Sequence, residues 1–109
     1  MERHLRAEVR DVGGVTVLVL KGELDVSTSA ELERELDRLG GRDSVVVDLR
    51  ELQFIDSTGL SVLVRAHQRA VEAGRSFALV PGSGQAQRLL ELTGLDERLT
   101  IAPGLEELT

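Results

Sequence analysis

Apolar and polar residues alternate at the start of the chain, with Leu5, Ala7 and Val9 on one side and Arg6, Glu8 and Arg10 on the other. A period of two predicts a half-exposed strand. Gly13 and Gly14 follow, a pair suited to a tight hairpin turn. They lead straight into residues 15–20 (VTVLVL), which are apolar on both faces and so expected in the middle of a sheet. Thr28 and Glu31 have the spacing of a capping box, and Leu32, Leu36 and Leu39 then recur at helical spacing as far as Gly40. Residues 44–49 (SVVVDL) read as a buried strand from their length and β-branching. From Ser57 a second helix places Leu60, Leu63, Val64, His67 and Val71 on one face and stops at Gly74. Residues 77–80 (FALV) predict a short strand, residues 81–84 (PGSG) a turn, and residues 85–92 a third helix ending at Gly94. Residues 98–101 (RLTI) predict a last short strand, with a weakly helical or frayed tail after Pro103.

This order, in which strands alternate with helices after an opening hairpin, predicts an α/β domain with a mostly parallel sheet. A length of 109 residues allows one domain, with its core over about residues 5–101 and a tail over residues 102–109. Phe54 and Phe77 are the only aromatic residues, so the core must be built from Leu, Val, Ile and Ala. Absence of cysteine excludes disulfides and thiolate chemistry. The net charge of −6, without a basic stripe, argues against nucleic acid and against anionic membrane surfaces. No apolar run approaches the roughly 18 residues that span a bilayer. The opening MERHLRAEVRD lacks the apolar stretch of a signal peptide, so a cytoplasmic location is expected.

In open α/β sheets, functional residues gather where strands end and helices begin. KGELDVST, FIDSTG and PGSG fall there. The first two bring the carboxylates Glu23, Asp25 and Asp56 near the hydroxyls of Ser27, Thr28, Ser57 and Thr58. Ser57 opens a helix, whose N-terminal N–H groups and dipole favour an anion. A phosphate on its oxygen would be partly stabilised there, and Asp56 beside it would orient the hydroxyl and repel the phosphate. Gly59 lets another backbone come close. The plainer reading is that these residues only cap the helix, since Ser and Asp are common N-caps, and at this point both readings stand.

Other chemistries fit less well. A receiver-type magnesium pocket needs a lysine beside its acids, and the single lysine, Lys21, ends a strand in a chain that opens with a hairpin. His67 lies too deep along its helix to serve Ser57 as a base, and no G-x-S-x-G elbow exists. His4 and His67 are isolated and make no metal site. Gly82-Ser83-Gly84 before a helix is a weak phosphate-binding signal that lacks the full glycine motif.

GELDVSTSAEL, VVVDLRELQFIDSTGLSVLV and QRLLELTGL, in this order, resemble the anti-sigma factor antagonist family, the bacterial STAS domain. The likeness runs from about Val15 to Ile101, and its most specific part is D-S-T-G-L after a β-branched strand with G-E-L-D upstream. The resemblance implies a single small STAS-like domain: a curved sheet of four to five strands, the first in a hairpin, backed by three to four helices. It implies a non-enzymatic switch without cofactor or metal. The unmodified protein would bind an anti-sigma factor, commonly an ATP-dependent serine kinase, and so release the sigma factor. The kinase would phosphorylate the serine after the motif aspartate, here Ser57, and a PP2C-type phosphatase would reset it. The family's loop acid falls on Asp25 and its motif aspartate on Asp56, and Asp25, Thr28, Asp56, Thr58, Gly59 and Leu60 are the expected partner contacts. Where the family often has a second serine this chain has Thr58, which leaves a secondary acceptor open. A STAS module of a stress-signalling or transport complex, and a small nucleotide-binding protein using the acidic loops, are the alternatives.

Overall fold

Residues 15–20 lack a polar face because both of their faces are covered. Strand β2 (Val15–Leu24) pairs with β1 (Leu5–Val12) on one side and β3 (Ser44–Ile55) on the other. The computed structural model describes residues 4–82, 84–102 and 104. Among these, β4 (Ser76–Val80) completes a four-stranded sheet of order β1-β2-β3-β4. The β1–β2 pair is an antiparallel hairpin closed at Val12↔Val15, with Gly13 and Gly14 both at positive φ, 56° and 83°. Only residues without a Cβ take that turn without strain. The pairs β2–β3 and β3–β4 are parallel.

Parallel neighbours need crossovers, and α1 (Ser29–Arg38) and α2 (Ser57–Glu72) supply them. Successive crossovers of one hand stepping the same way across a sheet lie on the same face. The core confirms this. Leu18 and Leu20 of β2 and Val45, Val47 and Leu49 of β3 share one buried cluster with residues of α1, α2 and α3 (Gln85–Thr93). The alternate residues Val17, Val19, Val46, Ala78 and Val80 form a second cluster on the other face. Two faces of buried aliphatic side chains explain the continuous apolar runs.

Three sequence expectations are corrected here. Strand β3 does not stop at Leu49 but runs on to Ile55, with Leu52 and Phe54 half-buried between exposed Glu51 and Gln53. The polar letters of RELQF hid a strand whose far half has one wet face. Residues 98–101 form no regular strand. Leu95–Glu97 make a short 3₁₀ turn instead, and only an isolated parallel bridge, Leu79↔Ile101, ties this segment to the sheet. On α2, Val71 is 60% exposed, whereas Val62 and Ala66 are buried. At 3.6 residues per turn, Val62 and Ala66 lie on the flank opposite Val64 and Val71. Because α2 packs against α1 as well as the sheet, that flank is the one covered. The tail expected after Pro103 lies, apart from Gly104, outside the described residues.

Among the described residues no helix is long and apolar enough to cross a membrane.

Candidate functional site

The extra length of β3 builds the site. Pairing of β3 with β4 ends at Asp48↔Val80, while pairing with β2 continues to Leu24↔Ile55. Beyond the end of β4, β1, β2 and β3 continue together as far as Gly22, and the last two pairs, Glu23↔Phe54 and Leu24↔Ile55, deliver the segments after Leu24 and Ile55 side by side. The Asp56 N–H donates to the Leu24 carbonyl at 3.1 Å, which fixes the two turns together. From the other side, the Ile55 N–H donates to Gln85 Oε1 at 3.1 Å, drawing the start of α3 to the same edge.

The turn after Leu24 is organised from inside. Asp25 is only 6% exposed and Thr28 1%. Asp25 Oδ1 accepts from the Ser27 N–H at 2.9 Å and the Ser27 hydroxyl at 2.6 Å. The Thr28 hydroxyl donates to the Glu23 carbonyl at 2.8 Å and accepts from the Asp25 N–H at 3.0 Å. These bonds hold the hydroxyl on the turn rather than on α1. Thr28 occupies the N-cap position, yet no side-chain cap bond forms, and the capping box expected with Glu31 is absent. What the turn shows to solvent is Val26, 73% exposed, and Ser27.

The turn after Ile55 divides two tasks that the sequence left joined. Asp56, extended at φ −117° and ψ −178°, is the N-cap of α2, and its Oδ1 accepts from the Gly59 N–H at 3.0 Å. Ser57 is the first helical residue and is exposed, and its hydroxyl makes no hydrogen bond among the described residues. Its carbonyl accepts from the Ser61 hydroxyl at 2.8 Å. Thr58 is exposed beside it. Asp56 therefore serves the helix and leaves Ser57 available; it does not orient the Ser57 hydroxyl.

Gly59 and Leu60 point the other way. Both are buried, Leu60 to 2% exposure, because the first turn of α2 lies directly on Leu24. Of the expected contact residues, then, Asp25, Thr28 and Gly59 are internal supports. Leu60 reaches the surface only as the floor of a shallow groove, with Ser57, Ser61, Val64 and Arg65 on one wall and Thr93 and Leu95 on the other. A partner at this edge would meet Val26, Ser27, Ser57, Thr58 and Ser61. Of these five, Val26, Ser27 and Ser61 lie outside the expected contacts, although a lone valine between Asp25 and Ser27, and a serine one helical turn after Ser57, were visible signals. The opposite groove wall is a tertiary feature without a local signal.

His67 packs edge-on against Phe77, with centroids 6.1 Å apart, and its Nε2 lies 3.4 Å from the Thr100 hydroxyl. It belongs to the core boundary, remote from Ser57. In the PGSG turn Ser83 lies outside the described residues, and Gly84, which has no side chain to cap with, stands at the N-cap position of α3. Among the described residues no group of three or more His, Asp or Glu side chains is placed to hold a metal.

The division between Asp56 and Ser57 has a measurable consequence. Asp56→Ala should lower stability by about 1 kcal/mol through loss of the cap. Ser57→Ala should change it by less than about 0.5 kcal/mol, since an exposed side chain without a partner is removed. Urea melts of the two variants beside the wild type decide this. A loss for Ser57→Ala equal to that for Asp56→Ala would make Ser57 a structural cap after all.

Comparison with known proteins bears on the family and the fold. Residues 6–108 match the family described as the STAS domain. The chain is 32% identical over 95 residues to the anti-sigma F factor antagonist of Paenibacillus polymyxa, covering 84% of this chain and 81% of that protein. It is 33% identical over 87 residues to the anti-sigma-B factor antagonist of Staphylococcus aureus, covering 78% of this chain and 81% of that one. Its fold is similar to the crystal structure of an anti-sigma factor antagonist from Mycobacterium paratuberculosis, with a TM-score of 0.88 and 27% identity over 95% of this chain and 90% of the other.

Proposed function

This chain belongs to the STAS domain family, and on that premise we propose that it is itself an anti-sigma factor antagonist, a binding module whose switch is a phosphate on Ser57. In this reading the unmodified edge formed by Val26, Ser27, Ser57, Thr58 and Ser61 docks on an anti-sigma factor that is also an ATP-dependent serine kinase. Docking frees the sigma factor. The kinase then modifies Ser57, a PP2C-type phosphatase removes the phosphate, and the exchange takes place in the cytoplasm.

One observation carries the reading: at the start of α2, the cap is made by Asp56, while the neighbouring Ser57 hydroxyl is exposed and unbonded among the described residues. A kinase can reach such a hydroxyl without dismantling the helix. The product is tolerated as well, because a phosphate at the first helical residue meets the positive end of the helix dipole. Names borne by relatives such as the Paenibacillus polymyxa and Staphylococcus aureus antagonists support the same role.

The experiment is incubation with ATP and Mg²⁺, with and without the cognate anti-sigma factor, followed by intact-mass and fragment spectra. The expected product carries one phosphate, on Ser57, formed only with the kinase present, and none in Ser57→Ala. Phosphate on Thr58 alone, no modification by a partner shown to bind, or ATP turnover by the chain alone would each overturn the reading.

A further inference from the structure

Among the described residues strand β1 has β2 as its only neighbour, so its far side is an open edge. The Glu23 N–H donates to the His4 carbonyl at 2.9 Å, which makes His4 and Glu23 a hydrogen-bonded pair of the antiparallel ladder. Such pairs recur at every second residue, so the backbone N–H and C=O groups of Arg6, Glu8 and Arg10 turn toward β2. Those of Leu5, Ala7 and Val9 point away from the sheet and have no hydrogen-bond partner among the described residues. Side chains sort by the same alternation. Leu5 and Ala7 pack against the main core, and Val9, on their face of the strand, is 47% exposed. Arg6 and Glu8 are exposed on the other face. Glu8 pairs with Arg10 and Lys21, each at 3.2 Å, while Arg6 forms no ion pair among the described residues.

We propose that this edge pairs with the same edge of a second copy of the chain, β1 against β1, antiparallel and centred on Ala7. The side chains choose the register. Centring on Arg6 or on Glu8 would set that residue against its own copy, and like charges directly opposed are destabilising. Centring on Val9 would set Ala7 against Asp11 and Arg6 against Val12. Centring on Ala7 sets Leu5 against Val9 and Ala7 against Ala7 on one face, and Arg6 against Glu8 in both directions on the other. Apolar and opposite-charge pairs of this kind stabilise an antiparallel ladder, and the unpaired Arg6 cation gains a carboxylate. At the ends Arg10 comes opposite His4, which carries no formal charge at pH 7. On the charged face as a whole, Arg6, Arg10 and Lys21 balance Glu8, Glu23 and Glu51, so neither copy brings a net charge to the contact. Charges on an edge strand ordinarily keep copies apart; here their signs alternate, so they reject wrong registers and leave one. So short a contact falls below the roughly 1,200 Å² of stable interfaces, and each chain carries a net charge of −6, so the dimer is weak and forms at high concentration. Strand β2 lies between this edge and the strand that leads to Ser57, and the proposal does not rest on the reading of Ser57.

The test is sedimentation equilibrium of the whole chain from about 20 µM to about 1 mM, the range of weak association. The wild type is expected to move from monomer toward dimer across this range. Amide exchange at Leu5, Ala7 and Val9 should slow at the high end, while that at Arg6 and Glu8 is slow throughout. Arg6→Glu alone and Glu8→Arg alone should each weaken self-association at least about tenfold, and an equal mixture of the two should restore it to within about threefold of the wild type. Each variant then supplies the charge that the other lacks. Ala7→Pro removes an outward N–H and no bond to β2, a place where an edge strand tolerates proline, and should abolish association while the fold remains. A wild type that stays monomeric throughout, its edge left to water or to a different chain, would overturn the proposal. So would a dimer indifferent to Arg6→Glu or Ala7→Pro, or a mixture no tighter than its components. Should Glu8→Arg not fold, the exchange data with Arg6→Glu and Ala7→Pro decide.

Discussion

Gly59→Ala should destabilise the domain by about 2 kcal/mol, although alanine is the better helix former. A Cβ at residue 59 would overlap the Leu24 side chain and lie 3.0 Å from the Leu24 carbonyl. Leu24 is completely buried, and its carbonyl accepts the Asp56 N–H that joins the two turns of the site. Neither group can yield freely. Overpacking of this kind costs about 1–3 kcal/mol, and straining the buried hydrogen bond adds about 1. The helix propensity gained over glycine returns at most about 1 kcal/mol. Gly59→Val should cost more, because two further methyl groups enter the same contact. Gly41→Ala is the control: its Cβ would meet nothing within 4 Å, and its effect should stay within about 0.5 kcal/mol. Urea midpoints read both. Equal, small effects would mean that the first turn of α2 does not rest on β2, and the geometry given for Ser57 would fall with it.

This contact also shows where the sequence was legible. Among the described residues, local patterns located α1, α2, α3 and the four strands, because β-branched runs and leucines at helical spacing are local signals, though not the far half of β3 or the 3₁₀ turn at Leu95–Glu97. The hairpin was legible in Gly13-Gly14, and the start of α2 at Ser57 in the residues around it. Features that depend on competition between partners were not. Thr28 and Glu31 have the letters of a capping box, but the threonine oxygen accepts from the Asp25 N–H instead, with its hydrogen given to the Glu23 carbonyl. Asp56 and Ser57 are both common N-caps, and only the backbone decides that Asp56 takes the role. Gly59 and Leu60 looked like contact residues because they adjoin Ser57, but a helix turns 100° per residue, and these two face Leu24 and the core. The groove wall of Thr93 and Leu95 comes from elements more than thirty residues downstream of Ser57, beyond the reach of any local pattern.

Phosphorylated Ser57 should bind the anti-sigma factor at least about 100-fold more weakly than the unmodified protein, a difference of about 3 kcal/mol. The phosphate adds about −1.5 to −2 charges at the lip of the groove floored by Leu60, one residue from Asp56. Within the free chain the helix dipole offsets part of this charge. A docked partner must still strip water from it, and desolvating an imperfectly paired charge at an interface costs several kcal/mol. Ser57→Asp should fall between the two forms. A carboxylate brings one charge and two oxygens, against nearly two charges and three acceptor oxygens, and it projects less far from the helix. Because Ser57, Thr58 and Val26 are all exposed, added salt should narrow the gaps by screening. Gaps insensitive to salt would point to steric blockage by the added group.

The most direct measurement is calorimetric titration of one anti-sigma factor with three forms of the chain, unmodified, Ser57→Asp and stoichiometrically phosphorylated, at low and high salt. The expected order of affinity is unmodified, then Ser57→Asp, then phosphorylated, with the spread shrinking at high salt. Binding of the phosphorylated form as tight as that of the unmodified form would contradict a switch at Ser57.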